Sequence, residues 1–481
     1  MQSKLKYVCC KIIKLSNKKL PILKQVTITD IAAQGKALAR IDNFVTFVSN
    51  ALPGDVVDIQ ITRRRKSYQE GYAVHFHLFS DKRETPFCEH FGICGGCRWQ
   101  DLKYIHQLYY KQKEVTDIFT RIGEVDFEQV EPAIGSELEK FYRNKLEFTF
   151  ANRRWLSKEE IRDQDKISNK KALGFHIRSK FDKILDLNSC WLQPEPSNSI
   201  RMSIRDFTAD ESFTYFDMIN RGGLLRNLII RTSLTGEVMA AIIFYENQPD
   251  TIDKILSHVR DTHSEITSLM YAVNSKANDS IYDLDFILFS GKDHIIEKMD
   301  NLEFRIGPKS FFQTNTSQGL VLYRLVKNYA SLKGNEILYD LYTGTGTIAI
   351  FLAGHASKVI GIESVDEAVA DAKVNSCANK ITNTLFICGD MRKVLNEDLF
   401  KKEGYPDVII TDPPRAGMHP DVIKSILAAS PAKIIYISCN PATQARDISI
   451  LSTQYEVSKV QPIDMFPQTY HIENVALLTR K

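Results

Sequence analysis

At 481 residues the chain exceeds what one ordinary hydrophobic core spans, so two or three domains are expected. Hydrophobic residues at 43% and charged residues at 25% are those of a soluble globular protein, and no run approaches the roughly 18 consecutive apolar residues that a membrane span requires. The net charge of +3 is too small to identify a nucleic-acid binder by itself.

The first residues lack the apolar core of a secretory signal, which implies a cytoplasmic location and reduced cysteines. A clustered subset of cysteines then points to metal binding or chemistry rather than disulfides. Cys9 and Cys10 have no such neighbours and are read as incidental. Nothing calls for an obligate protein partner, and a monomer is expected.

Residues 1–24 hold seven lysines and no acid, a basic extension able to meet phosphates, although such runs are more often simply solvated. From 25 to 82, apolar-patterned runs at 26–31, 43–48, 55–62 and 71–78 alternate with turns at Gly35 and Pro53-Gly54, the spacing of a small β-barrel. Barrels of this kind often bind oligonucleotides, and Arg63-Arg64-Arg65-Lys66 supplies charge between the last two strands. A barrel used only for packing is the equal alternative.

Cys88, Cys94 and Cys97 follow in a Cys-x5-Cys-x2-Cys array whose intervening glycines let the backbone wrap a metal centre. Cys190 is the isolated cysteine nearby that would complete the set. Four thiolates suit an iron–sulfur cluster or zinc. Helical spacing covers 104–122; strands are expected at 144–151, 224–232, 237–245 and 280–290, within a mixed α/β region that reaches about residue 300. The charged stretch 158–171 reads as an exposed loop.

From 301 to 481 the pattern becomes regular. Apolar runs at 337–341, 358–362, 384–387, 407–410 and 433–437 alternate with helical stretches, which predicts an α/β architecture with a parallel, Rossmann-like sheet. Its strand ends form one rim. The first ends in Asp340-Leu341-Tyr342-Thr343-Gly344-Thr345-Gly346-Thr347, where Gly344 and Gly346 let backbone N–H groups approach a ligand at a helix N-terminus. Glu363 ends the second strand, placed to accept hydrogen bonds from ribose hydroxyls, and Asp390 follows the third, placed to meet an adenine amino group. The turn is too short for the dinucleotide fingerprint. The fourth ends in Asp412-Pro413-Pro414-Arg415, whose prolines hold the Asp412 carboxylate in place. An aromatic residue would be expected in place of Arg415 in an amino-group methyltransferase. The fifth ends in Ser438-Cys439-Asn440-Pro441.

A methyl donor needs no thiol to reach oxygen or nitrogen, but a pyrimidine carbon does need one. Thiolate addition at C6 makes C5 nucleophilic, and a base must afterwards remove the C5 proton. Cys439 suits the first role and Glu473 the second, in a C-terminal segment (461–481) expected to fold back as strands beside the sheet. Asp412 suits a hydrogen bond to ring N3–H, and Arg415 or Arg446 is available to help Cys439 ionise.

These motifs, with Phe141-Tyr142-Arg143-Asn144-Lys145, Ser310-Phe311-Phe312-Gln313-Thr314-Asn315 and His471-Ile472-Glu473, resemble those of the bacterial RNA uracil-5-methyltransferases, in particular the branch that modifies 23S ribosomal RNA. The resemblance runs from about residue 25 to the end. It implies a TRAM-like barrel at 25–82, a central domain at 83–300 and a methyltransferase domain at 301–481. It also implies Cys439 as nucleophile and Glu473 as proton acceptor. Gln313, Tyr342, Glu363, Asp390 and Asp412 would line the S-adenosylmethionine and target-base pocket, and Cys88, Cys94, Cys97 and Cys190 would hold a [4Fe-4S] cluster. Thr347 and Asp390 stand where the family often carries Asn. The rivals are the same chemistry on the T-loop of transfer RNA, a branch that typically lacks barrel and cluster, or on two uridines of 23S ribosomal RNA; a radical enzyme, whose Cys-x3-Cys-x2-Cys spacing differs; and a non-catalytic RNA-binding protein.

Overall fold

The computed structural model describes residues 20–481 except 43, 124–125, 163–169, 179 and 211. The leader up to Lys19, with Cys9 and Cys10, and residues 163–169 of the expected exposed loop lie outside the described residues. The chain divides into two units, Met1–Arg83 and Glu84–Lys481.

In the first unit, β1 (Ile22–Thr27), β2 (Asp30–Ala32), β3 (Lys36–Ile41), β4 (Phe44–Ser49), β5 (Val56–Arg64) and β6 (Tyr68–Leu78) form one sheet in the order β1-β5-β6-β4-β3-β2. Alternation sends Ala37, Ala39, Val57, Ile59 and Ile61 into its core. Asp55 is fully buried yet satisfied. Its carboxylate accepts hydrogen bonds from Leu52 N at 2.6 Å, Ser80 N at 2.9 Å and the Arg83 guanidinium at 2.6 and 2.9 Å, which ties the 52–55 turn to the end of the unit.

The second unit begins with the cysteine-rich segment and α1 (Tyr104–Ile118), which continues as a π-helical turn, Phe119–Gly123. A sheet follows, built from β7 (Lys145–Ala151), β8 (Ala172–His176), β9 (Ile184–Asp186), β10 (Leu225–Thr232), β11 (Val238–Phe244), β12 (Ser268–Val273) and β13 (Ile287–Gly291), in the order β13-β12-β11-β10-β7-β8-β9. The expected strand at 280–290 shortens to β13. Asp283 and Asp285 interrupt it, Asp283 being drawn into an ion pair with Lys276. The 158–171 stretch opens with a short helix, α2 (Lys158–Arg162).

The central sheet packs α3 (Ser197–Phe207) and α4 (Pro249–Thr262) on one face through Leu146, Phe148, Phe150, Leu228 and Ile230. Its other face gives Ile229, Met239, Ala241 and Ile243 to a core shared with the C-terminal sheet. Between the two sheets runs the hairpin β14 (Ile295–Met299) and β15 (Leu302–Ile306), then α5 (Thr316–Ala330).

The C-terminal sheet comprises β16 (Ile337–Leu341), β17 (Lys358–Glu363), β18 (Thr384–Cys388), β19 (Val408–Thr411), β20 (Lys433–Ser438), β21 (Tyr455–Ile463) and β22 (Glu473–Arg480), in the order β18-β17-β16-β19-β20-β22-β21. The first five are mutually parallel and, except for the edge strand β18, buried on both faces, hence their apolar sequences. β22 alone runs antiparallel to both of its neighbours.

Candidate active site

The strand order arranges the expected site residues in a row. Along the carboxyl rim stand Asp390 after β18, Glu363 on β17, Tyr342 after β16, Asp412 after β19 and Cys439 after β20. Four strand steps of about 4.8 Å separate the first from the last, about 19 Å in all, the length of an extended nucleoside with its side chain and a base beyond. β22 enters beside β20 with Ser438 paired to Asn474, so Cys439 and Glu473 are the next residues outward, opposite one another. Reversal of one strand is what brings its first residue to the rim.

The glycine turn is preorganised. Tyr342 has φ +62°, and Gly344 and Gly346 have φ +56° and +77°. A Cβ on Gly346 would lie 2.9 Å from Ala372 Cβ and 3.0 Å from the Phe386 ring, so only glycine lets the turn sit this close to the sheet. Gly344 N donates to Glu363 Oε2 at 3.1 Å, while Glu363 Oε1 accepts from Ser364 N at 2.7 Å and Val365 N at 3.1 Å. Thr345 Oγ1 donates to Phe311 O at 3.0 Å, joining the turn to the segment that carries Gln313. These backbone groups and the Glu363 carboxylate fit the ribose and glycine-turn contacts of S-adenosylmethionine. Thr347 shares a 2.7 Å hydrogen bond with Tyr323. Asp390 caps the short helix Met391–Val394 and pairs with Arg392 at 2.5 Å, which holds its carboxyl down at about 2.

Two buried groups on this rim were not singled out from sequence. Asp340 accepts from Thr343 Oγ1 at 2.5 Å and Ala349 N at 3.2 Å, and burial pushes its carboxyl up to about 7. Its position at the end of an apolar strand before a glycine turn was the available signal. Tyr323 is indistinguishable in sequence from any other core residue of α5.

Burial first and then the charge of Asp340 raise Asp412; burial first and then the charge of Asp412 raise Glu473 more strongly, where the Arg415 guanidinium opposes the rise. The Cys439 thiol is raised by burial and by the neighbouring Glu473 and Asp412, with Arg415 working the other way through charge and a hydrogen bond. The choice between the two arginines is therefore made. Arg446 donates to Asp447 at 2.6 and 2.8 Å and to Ala416 O at 3.0 Å. Gly417, at φ +79°, leaves room for it, since a Cβ there would lie 2.6 Å from Arg446 Nη2. Arg415 O accepts from Asn440 Nδ2 at 2.9 Å and Thr443 Oγ1 at 3.2 Å, which locks the Asp412 loop to the Cys439 turn. His471 is held neutral: burial first, then Arg415, Lys111, Arg143 and Arg98, bring it down to about 4.

The four expected metal-ligating cysteines lie together, away from this rim. Cys88, Cys94, Cys97 and Cys190 line a single cavity with Phe91, Phe175 and Trp191. Gly96 N points at Cys94 Sγ at 3.4 Å, and the Arg178 guanidinium donates to Cys97 O at 2.8 Å. Among the described residues no three His, Cys, Asp or Glu side chains are gathered to hold a single metal ion. Four thiols round one cavity are a donor set that an iron–sulfur centre or zinc takes. The same segment reaches the rim through its backbone, because Arg98 N and Trp99 N donate to Gln468 O at 2.8 and 3.1 Å.

Two outcomes follow from these electrostatics. Arg415→Gln is expected to raise the apparent pKa of Cys439, read as the pH profile of its alkylation by mass spectrometry, whereas Arg446→Gln leaves that profile in place and lowers thermal stability. Asp340 has an ordinary value of 3.8 and about 7 in the fold, so the native state holds a proton that the unfolded chain has lost between those values. Stability therefore falls as pH rises from about 4 to 7, by on the order of a few kcal/mol. Asp340→Asn is expected to flatten, not abolish, the fall in melting temperature over that range, since Asp412 and Glu473 titrate in the same sense.

Comparison with known proteins agrees with this arrangement. Residues 227–481 match the family model described as tRNA (Uracil-5-)-methyltransferase, and residues 24–74 match the TRAM domain. A protein of Bacteroides thetaiotaomicron named "Uncharacterized RNA methyltransferase" is 51% identical over 451 residues, covering 93% of this chain and 99% of the relative. One of the same name from Porphyromonas gingivalis is 48% identical over 460 residues, covering 94% and 99%. The crystal structure of Pyrococcus abyssi tRNA (uracil-54, C5)-methyltransferase in complex with S-adenosyl-L-homocysteine aligns with a TM-score of 0.73 at 28% identity, covering 95% of this chain and 99% of that one. The ordered rim, the glycine turn and these matches lead to one conclusion: the chain belongs to the family of S-adenosylmethionine-dependent RNA uracil-5 methyltransferases and carries an N-terminal TRAM domain.

Proposed function

We propose that the protein methylates C5 of a uridine in 23S ribosomal RNA through a covalent bond between Cys439 Sγ and uracil C6. The observation that carries this reading is the β20–β22 register, which sets Cys439 and Glu473 face to face at the end of the cofactor rim, with Asp412 on the adjoining strand. S-adenosylmethionine, when bound, supplies an electrophilic methyl group. Gly344, Gly346, Glu363 and Asp390 hold its adenosine along β16 to β18, and Gln313, Tyr342 and Thr347 border the end nearer the target base.

The Cys439 thiolate, favoured by Arg415, adds to C6, and the electron pair of the 5,6 double bond moves to C5 and the adjoining carbonyl. Asp412, raised toward its neutral form, hydrogen-bonds the N3–H and carbonyl edge where charge builds up. After C5 has taken the methyl group, Glu473 accepts the C5 proton; its raised carboxyl makes it a stronger base than an exposed one. The C–S bond then breaks and the double bond re-forms. The uridine must leave its stack to reach this rim.

Cys88, Cys94, Cys97 and Cys190 would hold a [4Fe-4S] cluster, which would cross-link the 88–97 segment to the chain around Cys190; methyl transfer itself requires no redox step. The domain division at residues 24, 82 and 300 is part of the same reading. A second reading, the same chemistry on transfer RNA, is favoured by the likeness to the Pyrococcus abyssi enzyme, which covers 95% of this chain and so extends well beyond the C-terminal sheet.

RNA carrying 5-fluorouridine at the target is expected to form a stable adduct with the protein, because fluorine cannot leave C5 as the proton does. An equal adduct yield from Cys439→Ala would sink the covalent mechanism. Anaerobically purified protein is expected to contain iron and acid-labile sulfide; stoichiometric zinc would overturn the cluster assignment. Mass mapping of 5-methyluridine in ribosomal and transfer RNA from cells lacking the protein separates the two substrates, with loss from 23S RNA expected and loss from the T-loop alone contradicting it.

A further inference from the structure

One patch beside the crevice is not used by the chemistry above. On the β7–β10 pair, Lys145 stands directly opposite Arg231, two like charges on neighbouring strands. Leu146, Phe148 and Ile230 point to the core on the α3–α4 side, so Lys145 and Arg231 share the other face, toward the C-terminal sheet. Arg143, two residues before Lys145, lays its guanidinium 5.4 Å from the centre of the Phe466 ring.

Like charges are not placed together in a half-buried position for stability alone. Arg231 is 4% exposed; its Nη2 donates to Ser310 O at 2.6 Å, but its Nε is buried with no hydrogen-bond partner among the described residues, and the same holds for Nε of Arg143. Among the described residues none of the three cations is in an ion pair. Glu147, two residues along this face of β7, is solvent-exposed and its charge acts on Lys145, so one carboxylate stands at the open end of the face against three cations. Buried donors without acceptors, beside three cations that outnumber the one acid acting on Lys145, call for a further anion.

The position narrows what that anion is. Asn144, between Arg143 and Lys145, donates to Gln313 O at 2.9 Å and to Thr316 Oγ1 at 2.9 Å, and Arg231 holds Ser310. The three cations therefore flank the 310–316 segment that borders the target-base pocket. S-adenosylmethionine carries an ammonium and a sulfonium beside its one carboxylate and would be repelled as much as attracted. A phosphodiester is purely anionic and offers several acceptor oxygens to guanidinium and ammonium donors.

We propose that Arg143, Lys145 and Arg231 form the binding site for an RNA phosphodiester next to the flipped uridine. Burial, then Arg231 and Arg143, bring the Lys145 amine down to about 8 although Glu147 works the other way, as expected of a cation whose surroundings are short of negative charge. The proposal rests on the RNA substrate class and not on which RNA or which uridine is modified.

The test uses the full chain saturated with S-adenosylhomocysteine and a short single-stranded RNA containing one uridine, with affinity measured over a series of potassium chloride concentrations. Lys145→Gln is expected to weaken RNA binding roughly tenfold at low salt and to reduce the slope of log affinity against log salt by about 0.7, the release of one counter-ion from single-stranded RNA. S-adenosylhomocysteine affinity is expected to stay unchanged, and Lys145→Arg to keep the slope. Titration with S-adenosylhomocysteine counts the folded fraction of each variant, so a folding defect does not pass for a binding one. An unchanged salt slope overturns the proposal in two distinguishable ways. Lost cofactor affinity would assign the anion to the methionine carboxylate, and unaltered binding of both would make the patch structural. Neither result bears on whether Cys439 forms the covalent adduct.

Discussion

The antiparallel entry of β22 beside β20 is the constraint on which the site depends. Five parallel strands alone place a cofactor turn, two acids, Asp412 and Cys439 on the rim, but no base facing the cysteine. A strand that starts at the rim, rather than ending there, delivers Glu473 as its first residue. The register is held by side chains as well as by the ladder. Gln444 Nε2 donates to Tyr436 O at 2.7 Å and to Asn474 O at 3.2 Å, and Asn474 Nδ2 returns a bond to Gln444 Oε1 at 2.7 Å. A slip of one residue would turn Glu473 to the opposite face of the sheet.

The chain between β21 and β22 is fixed with equal care. Lys111 and Asp464, both fully buried, pair at 2.5 Å, and Gln107 and Gln468 exchange hydrogen bonds at 2.9 and 3.0 Å. Tyr142 OH donates to Pro467 O at 2.9 Å. A buried ion pair contributes little net stability when intact but is costly to break, so it acts here as a latch. Because Arg98 and Trp99 hold Gln468 from the cysteine-rich side, the same latch joins the four-cysteine cavity to the strand that presents Glu473. The backbone of the four-cysteine segment is thereby coupled mechanically to the chain that leads into β22.

Much of this was legible in the sequence. The five parallel strands were readable because strands in the middle of a covered sheet are short apolar runs, and each run ends at the rim where the expected site residues stand. The chemistry of carbon methylation then assigned Cys439 and Glu473 before any contact was known. The rest was hidden for definite reasons. β8, β9 and β12 are brief and flanked by polar residues, so they carry no period long enough to read. Asp283 and Asp285 broke a strand that its apolar neighbours suggested. Tyr323 and Asp340 look like core and turn residues until three-dimensional packing brings both beside Asp412. Arg415 and Arg446 are equivalent on paper, and the fold separates them by pairing Arg446 with Asp447 and turning Arg415 toward Cys439. The opposition of Lys145 and Arg231 depends on a pairing register that no local pattern encodes.

The central claim is that Glu473 removes the C5 proton from a uridine already bonded to Cys439. RNA labelled with tritium at C5 of the target uridine tests it in a single turnover. The wild-type protein should release tritium in step with methyl transfer, whereas Glu473→Gln should transfer the methyl group, keep the tritium on C5 and accumulate the covalent protein–RNA adduct. Tritium release by Glu473→Gln at the wild-type rate would contradict the account.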